Sequence, residues 1–285
     1  MEVTSMSRRP RNLPRGWYPV DKKECQREIE YFLEGWSPPI SRVTVRGGIV
    51  PHAGWYFSGK LAARVFQFLK SKGKTDMVVL YGGHLGPNEY PRIVMEEFWE
   101  TPLGDMQMDS EFAKNLTKRI EVKAESPGSG DNTMEIQVPM IKYFFPNAKL
   151  LAIRSPSSLR AKTLGEEVAR LANEKQMEIL AIGSTDLTHY GPNYGFTPKG
   201  IGSSALKWVR EENDRGFIDC ALKMKTELLI RHAEENESAC SAGAAASAMV
   251  TCRAMGAEKG TLLDYYTSYD IMPDESFVGY AGIVY

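Results

Sequence analysis

Residues 76–87 read DMVVLYGGHLGP. A short unbroken apolar run closed by glycines is the pattern of a strand buried on both faces, as in parallel sheets covered by helices. Working outward, VTVRGGIV at 43–50 reads as a second strand, running into the loop PHAGWYFSG. Between the two lies a helix for which Ser58 is the expected cap, with Leu61, Val65, Phe68 and Leu69 facing inward. Asp21 caps an earlier helix that places Cys25, Ile29, Phe32 and Leu33 on one face, and residues 1–20 before it read as an extended N-terminal arm. Downstream, the pattern predicts a strand near 92–95, a turn at TPLGD, a helix from Asp109 to about Arg119 and helical sequence over 133–145 around Pro139. A strand at 148–154, an amphipathic helix from Ser158 to Lys175 and a strand at 177–184 follow. Helices then cover 202–213 and about 226–254, the second interrupted once, and LLDYYTSYD and FVGYAGIVY close the chain as strands able to pair. Strands alternating with helices give the α/β class: one domain over 1–285, with a central mixed, mostly parallel sheet flanked by helices.

Composition narrows the function classes. The 285 residues carry 35 basic and 36 acidic side chains, a net charge of -1, which argues against nucleic-acid binding through bulk charge and against polybasic attachment to a membrane. The basic opening MEVTSMSRRPRNLPRG lacks the apolar stretch of a secretory signal, and the small-residue run at 239–250 is too short to span a bilayer. Cys25, Cys220, Cys240 and Cys252 form no CxxC pair, so the thiols are expected reduced and the protein cytoplasmic. Neither a GxGxxG nor a GxxxxGK[ST] run occurs, which argues against a nucleotide cofactor. Oligomeric state is not readable at this level.

The scarce residues are the informative ones. Of four histidines, three follow predicted strands: His52 after GGIVP, His84 after VVLYGG and His189 after AIGSTDLT. Ligands in open α/β sheets gather beyond the carboxyl ends of strands, so these three are expected to meet at one crevice, whereas His232 on its helix is structural. Converging imidazoles suit a transition metal. Asp186 and His189, three residues apart, suit proton transfer or orientation of a ligand, and Glu135, in partly buried surroundings, could add a carboxylate. Trp55, Tyr56, Tyr190 and Tyr194 are candidates for an apolar wall.

These same stretches resemble the MEMO family (AmmeMemoRadiSam system protein B-like), which is similar in fold to the class III extradiol ring-cleavage dioxygenases. RGWYPVD at 15–21, PHAGWYFSG at 51–59, YGGHLGP at 81–87, TPLGDMQMD at 101–109, DNTMEIQVPMIKYFFP at 131–146, GSTDLTHYG at 183–191 and Ala239-Cys240-Ser241-Ala242-Gly243 match family elements in the family's order. The resemblance implies that His52 and His84 are metal ligands, that Cys240 takes the third ligand position, and that Asp186 and His189 line the same pocket. It departs where the family has a histidine and this chain has Asn132, at Ser241 in place of glycine, and in the loop before His84. It implies one non-heme transition metal, Fe(II) or copper with zinc as an alternative: a thiolate favours copper(I) or zinc by softness, while open coordination positions are compatible with Fe(II). His189 is then the acid/base, Asp186 its orienting partner, and Trp55, Tyr56, Asn132, Glu135 and Tyr190 the residues around a small-molecule substrate. Two other readings share the fold: a peptide-binding signalling module without catalysis, and an iron- or copper-handling protein without turnover.

Overall fold

The computed structural model describes residues 6–39, 45–71 and 73–285, so the start of the expected arm and of the strand at 43–50 lie outside the described residues. In chain order the strands are β1 (Arg8–Arg9), β2 (Gly47–Val50), β3 (Met77–Leu85), β4 (Arg92–Ile93), β5 (Phe98–Trp99), β6 (Met106–Gln107), β7 (Lys123–Ala124), β8 (Lys149–Pro156), β9 (Ile179–Ser184), β10 (His189–Tyr190), β11 (Thr261–Thr267) and β12 (Phe277–Val284). The α-helices are α1 (Lys22–Phe32), α2 (Trp55–Lys70), α3 (Ser110–Leu116), α4 (Asn132–Glu135), α5 (Val138–Phe144), α6 (Leu159–Glu174), α7 (Ser203–Trp208), α8 (Asp214–Leu222), α9 (Thr226–Asn236) and α10 (Ala242–Ala254).

Among the described residues one nine-stranded sheet runs in the order β10-β12-β2-β9-β3-β8-β4-β7, with β11 paired to β12. Its centre, β2-β9-β3-β8, is parallel, and β12 and β4 flank it antiparallel, so the sheet is mixed and parallel at its heart. The two C-terminal strands pair antiparallel from Thr261↔Val284 to Thr267↔Gly279. Along β3 the side chains alternate between two apolar layers: Met77, Val79 and Tyr81 join α3, α6 and α8 to α10, while Val78 and Leu80 join α1, α2 and α5. Both faces of the sheet are therefore covered, the reason the opening stretch reads as continuous apolar sequence.

Several elements depart from expectation. The cap of α2 is Gly54, not Ser58, whose hydroxyl sits inside the first turn and donates to the Ala53 carbonyl at 2.9 Å. The segment 133–145 is two short helices, α4 and α5, with Pro139 in the first turn of α5, where its missing N–H costs nothing. The helix expected over 202–213 continues through a π-helical turn at Val209–Asn213 into α8. The N-terminal arm is tied down by pairing of β1 with β5, which together with β6 makes a separate three-stranded sheet. The run at 239–250 enters α10, whose residues Ala242–Cys252 are all buried; Gly183 on β9 and Gly165 on α6 let the helix approach so closely that an added Cβ would meet its backbone within 3 Å. No helix among the described residues is long and apolar enough to cross a membrane.

Candidate metal centre

Because β2, β9 and β3 are parallel neighbours, their carboxyl ends share one edge; the chain leaving β2 and β9 delivers His52 and Asp186 there, and His84 lies at the end of β3 itself. Cys240 reaches the same place from the opposite direction, just ahead of α10, with its N–H 3.3 Å from the Asp186 carbonyl. His52 Nε2 lies 3.1 Å from Cys240 Sγ, and the two imidazole centroids are 5.4 Å apart. One donor atom from each of His52, His84 and Cys240 falls within 4.8 Å of the others.

The other side of each ring is held. His52 Nδ1 is 3.3 Å from the Ser184 hydroxyl, which is itself 3.2 Å from the Gln137 amide. His84 Nδ1 is 3.2 Å from Asp131 Oδ2, and Asp131 also caps α4 and accepts from the Thr133 hydroxyl. Partners on Nδ1 leave Nε2 free to coordinate, the usual arrangement of histidine ligands. His84 does not lie in a loop beyond its strand; it sits in the last turn of β3 with φ of 59°, where the register to β8 breaks between Gly82 and Leu85. That left-handed geometry is rare outside glycine and marks a side chain aimed against the alternation of its strand. Gly82 and Gly83 are required beside it: a Cβ would lie 2.4 Å from Met134 Cγ at the first and 2.1 Å from Ser241 Oγ at the second.

Asp186 is buried, and its Oδ1 accepts the His52 N–H at 2.6 Å. Its Oδ2 is 3.9 Å from His189 Nε2, a buried nitrogen with no hydrogen-bond partner. His189 belongs to β10, opposite Val278, and its ring stands edge-on to Tyr194 at 4.9 Å. A cavity of about 460 Å³ opens here, lined by His52, His84, Asn132, Asp186, His189 and Tyr194, with Trp17 and Tyr280 in its wall. Asn132 lines it while its amide donates to the His52 carbonyl at 3.2 Å.

Electrostatics bind the group together. Burial works against an imidazolium at His52, but the Cys240 thiolate and Asp186 outweigh it and push its pKa up to about 9. The hydrogen bond to Asp131 and the sulfur push His84 up to about 10. Burial would raise the Cys240 thiol; the imidazoles of His52, His189 and His84 reverse the sign and hold it well below its ordinary value. Burial lifts the Asp186 carboxyl above its ordinary range despite His52.

Four candidates lie elsewhere. Trp55 points into the core, its Nε1 donating to the Ile136 carbonyl at 3.1 Å between Tyr18 and Phe32, because the first turn of α2 faces inward. Tyr56 turns the other way, is 66% exposed and faces a separate surface groove with Arg15 and Tyr31. Glu135, only 2% exposed, accepts the Asn12 and Leu13 N–H groups and the Tyr18 hydroxyl, so this carboxylate clamps the N-terminal arm. Tyr190, next to His189 on a two-residue strand, alternates to the other face, stacks on Phe277 at 5.3 Å and donates to the Gly200 carbonyl. Sequence reasoning missed Asp131, Thr133, Ser184, Gln137 and Trp17; only Asp131, an acid immediately before the first residue of α4, carried a local signal.

The donor set fits a metal. Ligands each about 2.0–2.3 Å from one tetrahedral ion lie about 3.3–3.8 Å apart, so three donors within 4.8 Å of one another reach one ion after drawing together by up to roughly an ångström. His52, His84 and Cys240 can together hold one ion, and the chemistry of the donors suits a transition metal.

The profile of the family described as "Memo-like protein" matches residues 9–284. The chain belongs to that family. Among its relatives, a "MEMO1 family protein" of Nitrosopumilus maritimus is 33% identical over 94% of this chain and 95% of its own length. The "MEMO1 family protein" of Methanopyrus kandleri is 30% identical over the same shares, and that of Methanothermobacter thermautotrophicus is 30% identical over 97% of this chain and 99% of its own. Family membership thus extends over almost the whole chain, from β1 to β12.

Proposed function

We propose that the protein is a non-heme metal-dependent redox enzyme of dioxygenase-like type, with one metal on His52, His84 and Cys240. The observation that carries this reading is the convergence of those three donors beside a cavity, each imidazole turned toward the others by a partner on Nδ1. When bound, Fe(II) or copper, ahead of zinc, would supply Lewis acidity at the cavity, and with iron or copper also redox capacity. The protein's own groups do the rest. His189 lines the cavity, and its Nε2 has no hydrogen-bond partner among the described residues, which suits the ring to give or take a proton there. Asp186 holds the His52 main chain and faces His189, whose charged form burial disfavours and the Cys240 sulfur, then Asp186, favours. Asn132 secures the His52 carbonyl, and Tyr194 packs against the His189 ring. Among the described residues the cavity wall holds no lysine or arginine, so its cationic groups are the imidazoles of His52, His84 and His189 together with any metal they hold. A cytoplasmic setting belongs to the same proposal, with none of the four cysteines paired in a disulfide.

The test is metal content of the purified protein and of His52→Ala and Cys240→Ser, before and after anaerobic loading with Fe(II) or Cu(I), followed by oxygen uptake on a catechol panel. Stoichiometric metal in wild type, lost in both variants, with turnover abolished by His189→Ala, is the expected result. Wild type that holds no metal after loading sinks the reading. One observation favours a second reading. Asn132 is a neutral amide tied to a main-chain carbonyl, so it offers no proton, as in a site that binds a peptide or buffers a metal without turnover. Tight metal binding with no oxygen consumption across the panel would select it.

A further inference from the structure

We propose that Arg154 is the positioning residue that sets His84 for metal binding, gripping its main chain and its carboxylate partner at once. The inference rests on the assignment of His52, His84 and Cys240 as the metal-holding set. Arg154 lies on β8 directly opposite Gly82, one step before the break in the β3 ladder. Beyond that break the carbonyls of Gly83 and His84 have no regular strand partner, and the left-handed turn at His84 swings them toward β8. One guanidinium takes both: Nε donates to the Gly83 carbonyl at 2.8 Å and Nη2 to the His84 carbonyl at 3.1 Å. The same Nη2 is 3.4 Å from Asp131 Oδ2, the oxygen that lies 3.2 Å from His84 Nδ1. A ring is closed: His84 carbonyl, Arg154, Asp131, His84 imidazole. The first contact stabilises a backbone conformation that a histidine rarely adopts, and the last fixes which nitrogen faces Cys240.

Arg154 is 9% exposed, and Nη1 meets the buried Glu125 carboxylate at 3.3 Å, so its charge is balanced by Glu125 and Asp131 without a metal. Its planar fork is what the site uses. A lysine would carry the same charge but could not span two carbonyls and a carboxylate from one rigid plane. Arg154 does not itself line the cavity and reaches the site through Gly83, His84 and Asp131.

The test uses Co(II) as the probe, with the full chain. Arg154→Lys should weaken Co(II) binding by roughly 10- to 100-fold, the range for a partner that orients a ligand, and should perturb the visible bands of the bound ion. In a His84→Ala background the same substitution should change affinity little, because the residue it acts through is gone. Wild-type affinity and spectrum in Arg154→Lys, or an equal loss in both backgrounds, would overturn the proposal, the latter pointing to general destabilisation. Failure of wild type to bind Co(II), Fe(II) or Cu(I) would strike the metal assignment, not this residue. Crystal structures of the metal-free Arg154→Lys protein then decide its role: His84 leaving its left-handed φ and its Asp131 contact supports it, and an unchanged His84 overturns it. Should Arg154→Lys not fold, Asp131→Asn breaks the ring at its other link; loss of His84 order or of Co(II) affinity in that variant supports the proposal, and wild-type behaviour overturns it.

Discussion

The two ends of α10 carry a cysteine each, and they behave in opposite ways. Cys252 near the C-terminal end is fully buried against the Ala181 carbonyl and under Gly47, and burial alone pushes its thiol well above the usual range. Cys240, just before the N-terminal end, is also desolvated, yet three imidazoles turn the same penalty into a thiolate. One helix therefore joins a packing thiol to a ligand thiol; Cys252 is buried and Cys240 half-buried, but it is the company of charge that reverses the sign at Cys240. The middle of α10 is the spacer that makes this possible, since alanines and the glycines facing them let it lie close against α6 and β9.

That contrast can be tested at both ends. The largest effect is expected at the site: Cys240→Ser should cost more than about a hundredfold in metal affinity, beyond what loss of an orienting partner costs. Cys252→Ser should leave metal content unchanged, both by elemental analysis and titration. Metal lost from both variants alike would mean that α10 packing, not thiolate ligation, governs the centre. Next comes pH. In the metal-free protein His52 and His84 stay protonated up to about 9 and about 10, so a metal must displace those protons. Their raised values favour the metal-free fold below the ordinary imidazole pKa, and that contribution disappears as pH rises through 9 to 10. Metal affinity runs the other way, rising by about tenfold per pH unit for each proton displaced. Calorimetry in buffers of different ionisation heat should record proton release; a pH-independent affinity from 7 to 9 would contradict it.

Two smaller effects probe the spacer. Gly165→Ala puts a Cβ 2.7 Å from the Ser247 carbonyl oxygen and should destabilise the fold by about 1–3 kcal/mol, read as a lower urea midpoint with the metal stoichiometry retained. Tyr81→Phe removes the hydroxyl 2.8 Å from Thr251 Oγ1 and should cost about 0.5–1.5 kcal/mol, since Thr251 keeps the Gly165 and Ser247 carbonyls as acceptors. An effect on metal binding from either one would show that the two ends of α10 are coupled.

How far the site was legible in the sequence depended on whether direction mattered. His52, His84 and His189 could be grouped because each follows a strand, and parallel strands bring their carboxyl ends together whatever the side chains do. Cys240 came only from family resemblance, for nothing in its spacing separates it from Cys252. Trp55, Tyr56 and Tyr190 failed for one reason: they neighbour site residues in sequence, but a helix turn or a strand's alternation sends them to other faces. Glu135 was read correctly as partly buried, while its partners Asn12, Leu13 and Tyr18 lie more than a hundred positions away.

The sequence by itself determined the class of the fold, the paired C-terminal strands and the scarcity that made three histidines worth following, because periodicity and composition are local properties. Tertiary structure alone decided which of the neighbouring groups share a cavity, that His84 takes a left-handed turn, and that one guanidinium from β8 holds it there. Those outcomes depend on contacts between β3, β8 and the start of α4, segments separated by about twenty to seventy residues, and no local pattern encodes a meeting over that span.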